Sequence, residues 1–186
     1  MEPMDNREQH WGLNAKKLYI LALRLANDTS DFYKVKGAGV GDHASNAFMK
    51  NLRQLAKDMF GSDLSEKRVC KDSKHAFDFY IPDEGSVIEI ALSLHNPASE
   101  YEKDIFKCLL AKEEGLNIKS LLFIAKPGAL RRHNAAGSKR IRELVWKHFA
   151  VWVDILEILP PDQTEKLIKA LEKSLASAQR QAKLAH

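Results

Sequence analysis

Two acidic residues interrupt apolar, strand-like runs in "HAFDFYIPDEGSVIEIALSLHN": Asp78 lies between Phe77 and Phe79, and Glu89 between Ile88 and Ile90. Pro82–Gly85 is a turn-forming tetrapeptide, so the two runs read as a β-hairpin. A turn of two or four residues sets Asp78 opposite Glu89 on one face. A three-residue loop with a bulge at Gly85 would send them to opposite faces. The apolar pattern favours the even case. Ile88, Ile90, Leu92 and Leu94, with Phe77, Phe79 and Ile81, make one face; Asp78, Tyr80, Glu89, Ala91 and Ser93 make the other. Two carboxylates opposed across a strand pair repel and destabilise it. A divalent cation between them removes that cost, and Mg²⁺ needs only one or two carboxylates beside waters and substrate phosphates. On a solvent-exposed face the same two acids would be plain surface charge. Asp83 and Glu84 are explained as turn residues.

A third acid follows on the next predicted helix. At 100° per residue, Tyr101, Ile105, Phe106, Cys108 and Leu109 define a packing arc that includes Glu102, with Lys103 and Lys107 on the opposite side. Glu102 either reaches the same site or turns out to solvent at the helix start, where its charge suits the dipole.

Positive charge is concentrated elsewhere. Between Lys126 and Phe149 stand Lys126, Arg131, Arg132, Lys139, Arg140, Arg142 and Lys147 against the single acid Glu143, whereas the whole chain carries only +4. Such a cluster is the footprint of a phosphate-backbone contact, or else a solvated loop and helix face.

The elements that position these residues follow from period and punctuation. A helix is predicted over Asp5–Asn27 from Trp11, Ala15, Leu18, Ala22 and Leu25. "KGAGVGD" (Lys36–Asp42) lacks the Gly-Lys-Ser/Thr of a phosphate loop and reads as a loop before a helix that Asp42 caps. That helix presents Phe48, Leu52, Leu55 and Met59 as its apolar face and ends at Gly61. "RVCK" (68–71) is a candidate short strand, followed by strands over Ala76–Ile81 and Ser86–Leu94. A helix then runs from "NPAS" to Gly115. Ile118–Ala125, apolar on both faces, is a buried strand. Ser138–His148 is a helix, Phe149–Ile158 another buried strand, and Asp162 opens a last helix through Leu167, Leu171, Leu175 and Ala178. The expected architecture is one α/β domain over 1–186: N-terminal helices in 5–60, a mixed central sheet in 67–158 with helices on both sides, and a C-terminal helix in 162–185. Asp154, mid-strand, reads as a partnered buried polar group.

At 186 residues the chain is long enough for a proper core. No apolar run is membrane-length, and the opening residues lack a signal-peptide pattern. Cys70 and Cys108 have no metal-ligand spacing, so the expectation is a cytoplasmic chain with reduced thiols and no membrane partner.

The series helix, Asp-bearing strand, turn, Glu-bearing strand, helix and buried strand resembles the core of the restriction-endonuclease-like superfamily, the PD-(D/E)xK nucleases. "FDFY…VIEIALSLHNP…YEKDIFK…LLFIA" is most similar to Type II restriction enzymes of the BamHI/BglII-like branch, over about Phe48 to Ile158. The resemblance implies Asp78 and Glu89 as metal ligands with the Ile90 carbonyl, Mg²⁺ (or Mn²⁺) as cofactor, and Glu102 as a further catalytic candidate. It also implies double-stranded DNA as partner, contacted by Lys126, Arg131, Arg132, Lys139, Arg140 and Arg142. Cutting a palindrome would require a homodimer, with the N- or C-terminal amphipathic helix as interface. One position departs from the pattern. Ala91 stands where the family carries Lys, Glu or Gln, so that role falls to Glu102, Lys74 or Lys126, or the protein no longer cuts. The leading expectation is a Mg²⁺-dependent DNA endonuclease. Its rivals are a catalytically degenerate nucleic-acid-binding or regulatory protein of the same fold, and an interaction protein whose charges are only surface.

Overall fold

A computed structural model describes residues 7–29, 32, 43–71, 74–92 and 97–184. The described chain is an α/β layered structure. Five strands, β1 (Ser65–Arg68), β2 (Ala76–Ile81), β3 (Ser86–Ile90), β4 (Ser120–Ala125) and β5 (Trp152–Glu157), form one open sheet in sequence order. The first three are antiparallel to one another, and β3, β4 and β5 run parallel, so the sheet is mixed. Among the described residues there are six α-helices: α1 (Leu13–Asp28), α2 (His43–Phe60), α3 (Pro97–Glu113), α4 (Ala129–His133), α5 (Ala136–Phe149) and α6 (Pro161–Leu184). A short 3₁₀ turn, Glu8–His10, precedes α1. None of these helices is long and apolar enough to cross a membrane.

The helices divide between the two faces because β2–β5 bury side chains on both sides. Phe79, Ile81, Ile88, Leu122, Ile124 and Leu156 pack under α1, α2 and α6. Val87, Leu121, Phe123, Val153 and Ile155 pack under α3, α4 and α5. β4 is buried at every position, as its uniformly apolar "SLLFIA" requires of a strand covered on both faces. The apolar rows of α1 and α6 are used in the first of these cores, so neither row is free to form a dimer interface. The exposed large apolar side chains of the lower layer are instead on α3 and α5: Phe106, Leu110, Leu144 and Trp146.

The hairpin settles the register. Ile81 pairs with Ser86, Tyr80 with Val87 and Phe79 with Ile88, the even parity produced by a four-residue turn. Gly85 closes that turn at φ +65, and a side chain there would press within 2.7 Å of the Asn117 carbonyl, so glycine is needed for both reasons. Glu84, at the tip, does more than turn the chain. Its carboxylate accepts the backbone N–H groups of Asn14 (2.6 Å) and Ala15 (3.2 Å), capping the first turn of α1.

Several boundaries differ from expectation for identifiable reasons. β1 begins at Ser65 rather than in "RVCK", and Val69 is buried just beyond its end. β3 stops at Ile90 rather than continuing to Leu94. On α2 the buried row is Phe48, Leu52 and Ala56, while Leu55 and Met59 are exposed. The helix is thus turned by about 40° from the anticipated stripe. Phe149 closes α5 instead of opening β5, and Ala150 follows it in the left-handed conformation. The glycine loop Lys36–Asp42, with its capping Asp42, lies outside the described residues, as do Ser93, Leu94 and His95.

Candidate active site

Asp78 sits where β2 and β3 part. The β2–β3 pairing runs from Ile81 to Phe79, and one residue further the main-chain ladder is replaced by a side chain: Asp78 Oδ2 accepts the Ile90 N–H at 2.8 Å. The next amide, Ala91, bonds to Ile124 of β4 instead. N–H and C=O of one strand residue point to the same side, so the Ile90 carbonyl also faces the β2 side. The break has a second result. Phe77 joins the core with Tyr80 and Val69, not the Phe79–Ile81 face on which simple alternation placed it.

Glu89 is only 5% exposed and lies beside Asp78. Burial, then the charges of Asp78 and Asp104, push its carboxyl up to about 8. Burial likewise raises Asp78, against the Ile90 amide bond and the nearby Arg53 guanidinium. Opposed acids therefore do meet here, at the buried carboxyl end of β3. Their counter-charge comes from α3. Lys107 Nζ is 2.7 Å from Glu89 Oε1 and 2.9 Å from Asp104 Oδ1, and it donates to the Ala76 carbonyl at 3.1 Å. Burial works to lower the Lys107 ammonium, but the two carboxylates outweigh it and hold it above its ordinary value.

This corrects the expected face of α3. Tyr101, Asp104, Ile105, Cys108 and Ala111 are the buried positions, and Phe106 is 71% exposed. Counting Phe106 and Leu109 as core while leaving out Asp104 and Ala111 swings the inferred arc by about 70°, enough to turn Lys107 away and draw Glu102 in. In the structure Glu102 is exposed and lines a groove between α3 and α5 with Ile105, Leu109 and Arg140, apart from the acids. Asp104 and Lys107, one turn apart, were missed because a buried aspartate contributes nothing to an apolar count. Their spacing as an i, i+3 ion pair was the available signal.

The basic segment does not form one surface. Lys126 lies over the Phe32 ring at 5.0 Å, just after β4. Arg131 is exposed, Lys139 is paired loosely with Glu143, and Arg140 lines the α3–α5 groove. The Arg132 side chain lies outside the described residues. Arg142 turns inward, donating to the His133 carbonyl and interacting with Tyr101. Its role is to tie α5 to the end of α4. An Arg142→Ala protein is expected to lose about 1–3 kcal/mol of stability, the cost of removing a charged hydrogen-bond donor from buried partners, as denaturant titration would read.

A different basic group faces Asp78. A groove of about 480 Å³ runs between α2 and the ends of β1–β3, with Asp78 and Ile90 on its floor and Lys50, Arg53 and Lys57 along its helical wall. Arg53 contacts Glu66 and lies 3.6 Å from Asp78 Oδ1.

Asp154 is fully buried on β5 and satisfied by Arg7, by Trp11 Nε1 at 3.1 Å, and by His133 Nε2 at 3.3 Å. Burial raises its carboxyl, but the His133 and Arg7 contacts prevail and bring it down to about 2. His133, itself buried, is lowered by desolvation despite that partner. The expectation of a partnered structural group is met.

The donor set at the hairpin is all oxygen: two carboxylates and a carbonyl. Glu89 Oε1 is buried and accepts no well-directed hydrogen bond; its contact with Lys107 is ionic. Among the described residues no three His, Cys, Asp or Glu side chains converge as a metal cage, leaving a two-carboxylate arrangement of the kind Mg²⁺ accepts when substrate supplies the remaining ligands. No protein-family model, curated protein or solved structure matches this chain.

Proposed function

We propose that the protein is a Mg²⁺-dependent nuclease of the restriction-endonuclease-like kind, acting on the phosphodiester bonds of DNA. The observation that carries this reading is Lys107. Its ammonium comes from α3 to the Asp78–Glu89 pair and supplies the cation that Ala91 cannot.

The residues divide the work as follows. Asp78 and Glu89 would hold Mg²⁺ (or Mn²⁺), with the Ile90 carbonyl as a third oxygen. The ion, when bound, supplies Lewis-acid polarisation of the phosphate and lowers the pKa of a bound water. Asp104 and the Ala76 carbonyl fix the Lys107 ammonium beside Glu89. From there Lys107 orients water and balances negative charge growing on the phosphate oxygens. Asp78 is itself positioned by the Ile90 amide.

The test is incubation of plasmid and linear duplex DNA with the protein in Mg²⁺, in Mn²⁺ and in EDTA. Cleavage that requires the divalent ion is the expected result, read as nicked or linear plasmid on a gel. Binding of DNA with no cleavage in either metal would sink the nuclease reading in favour of the degenerate binding protein. Sedimentation of the DNA complex reports whether two copies act together.

A further inference from the structure

We propose that Lys50, Arg53 and Lys57 form a phosphate track that leads a DNA backbone along the α2 groove to Asp78. The proposal rests on the nuclease reading for its end point, but its own content is the path of the strand. That path is not the 126–149 segment in which the sequence concentrates its positive charge.

The three cations recur at three- and four-residue steps, so they share one face of α2, beside the row Phe48, Leu52 and Ala56 that anchors the helix to the sheet. From Lys50 to Lys57 the helix rises about 10 Å. A strand in a duplex presents one phosphate per about 3.4 Å of axis, so that length faces about three phosphates. Lys50 and Lys57 are exposed, and their flexible stems can follow the backbone. Arg53 stands between them, half-buried, with its Nε buried and unpartnered and its terminal nitrogen toward Glu66 and Asp78. It thereby offsets the carboxylate that would otherwise repel an approaching phosphate. Asn46 and Gln54, also in the lining, add uncharged hydrogen-bonding groups; among the described lining residues the acids are Asp63 and Asp78, and Glu66 pairs with Arg53 beside them.

The 126–149 segment lacks this convergence. Arg142 turns inward to the His133 carbonyl, Lys139 has Glu143 as a loose i, i+4 partner and Lys126 lies over the Phe32 ring. Counterion release scales with the number of phosphates neutralised at once, so cations that face one groove contribute and those turned elsewhere do not.

The experiment measures binding of a labelled DNA duplex in EDTA across a salt series, so that cleavage plays no part. Lys50 and Lys57 are exposed, and the double variant Lys50→Ala/Lys57→Ala is expected to melt like the parent. Its affinity at low salt should fall by about tenfold or more, and the slope of log K against log salt should shrink by about 2, near 0.9 per lost phosphate contact. Arg131→Ala/Lys139→Ala, the matched control, should keep the parental slope. An unchanged slope in the α2 variant, or a reduced one in the control alone, overturns the track. The two readings fail separately. A parent that cuts DNA, with no effect of the α2 variant on slope, removes the track and leaves the nuclease. A parent that binds with a slope dependent on Lys50 and Lys57, yet never cuts with Mg²⁺ or Mn²⁺, removes the nuclease and leaves the track. A parent that binds no DNA at low salt overturns both.

Discussion

On the proposed nuclease reading, a Lys107→Met protein is expected to cut DNA about 10²–10³-fold more slowly than its parent, the usual cost of removing one preorganised donor from a site of developing charge. Methionine keeps an unbranched side chain of similar length and removes the ammonium, which lies 5.8 Å from the Phe77 ring centroid. The informative division is between rate and affinity. Lys107 is buried among Glu89, Asp104 and the Ala76 carbonyl and lies away from the α2 groove lining, so duplex affinity in EDTA should stay within about twofold. Taking the ammonium away from buried Glu89 and Asp104 lowers stability on either view, but a merely structural lysine would leave the turnover of the folded fraction unchanged. Single-turnover cleavage, with the folded fraction checked by circular dichroism, decides between the two.

The second large effect concerns Asp154. Removing one partner from a buried ion pair leaves the others uncompensated, typically at about 3–5 kcal/mol. Asp154→Ala strands Arg7, Trp11 and His133 together. The expected result is a fall of that size in unfolding free energy, or about 10 °C in the melting midpoint for a chain of this length. The pH dependence gives a signature. A carboxyl held at about 2 in the folded state stabilises the fold fully above its unfolded value near 4, and this contribution, about 2 kcal/mol, disappears as the pH falls through about 2. The gap between parent and variant should therefore narrow between about pH 4 and about pH 2 in denaturant titrations. A gap that stays constant over that range would show that the charge of Asp154 contributes nothing.

The layered α/β class and the hairpin were legible because period and turn chemistry act locally. "YIPDEGSV" fixes an even register with no help from the rest of the chain, and "SLLFIA" can only be a strand covered twice. Asp78 and Glu89 became a candidate pair from that register alone. What stayed hidden depended on tertiary choices. Phe106 is exposed although its type suggests core, Asp104 is buried although its type suggests surface, and together they rotated the face of α3 that matters. Charge density was incomplete for a related reason. The 126–149 segment is rich in cations, but Arg142 faces inward, whereas the sparser row on α2 faces a groove. Counting charges along a chain does not reveal which ones converge in space.

The Glu84 clasp has a consequence for how the chain assembles. The first turn of α1 is completed by a carboxylate about seventy positions later, and Arg7 awaits Asp154, separated from it by 147. During synthesis α1 emerges before the hairpin and remains without its cap until the hairpin tip has left the ribosome. It is then without its anchor until β5 has followed. Contacts of such long sequence separation close slowly. Helix α1 is thus made before the sheet that secures it, and its apolar row stays open to unwanted association until that sheet is complete.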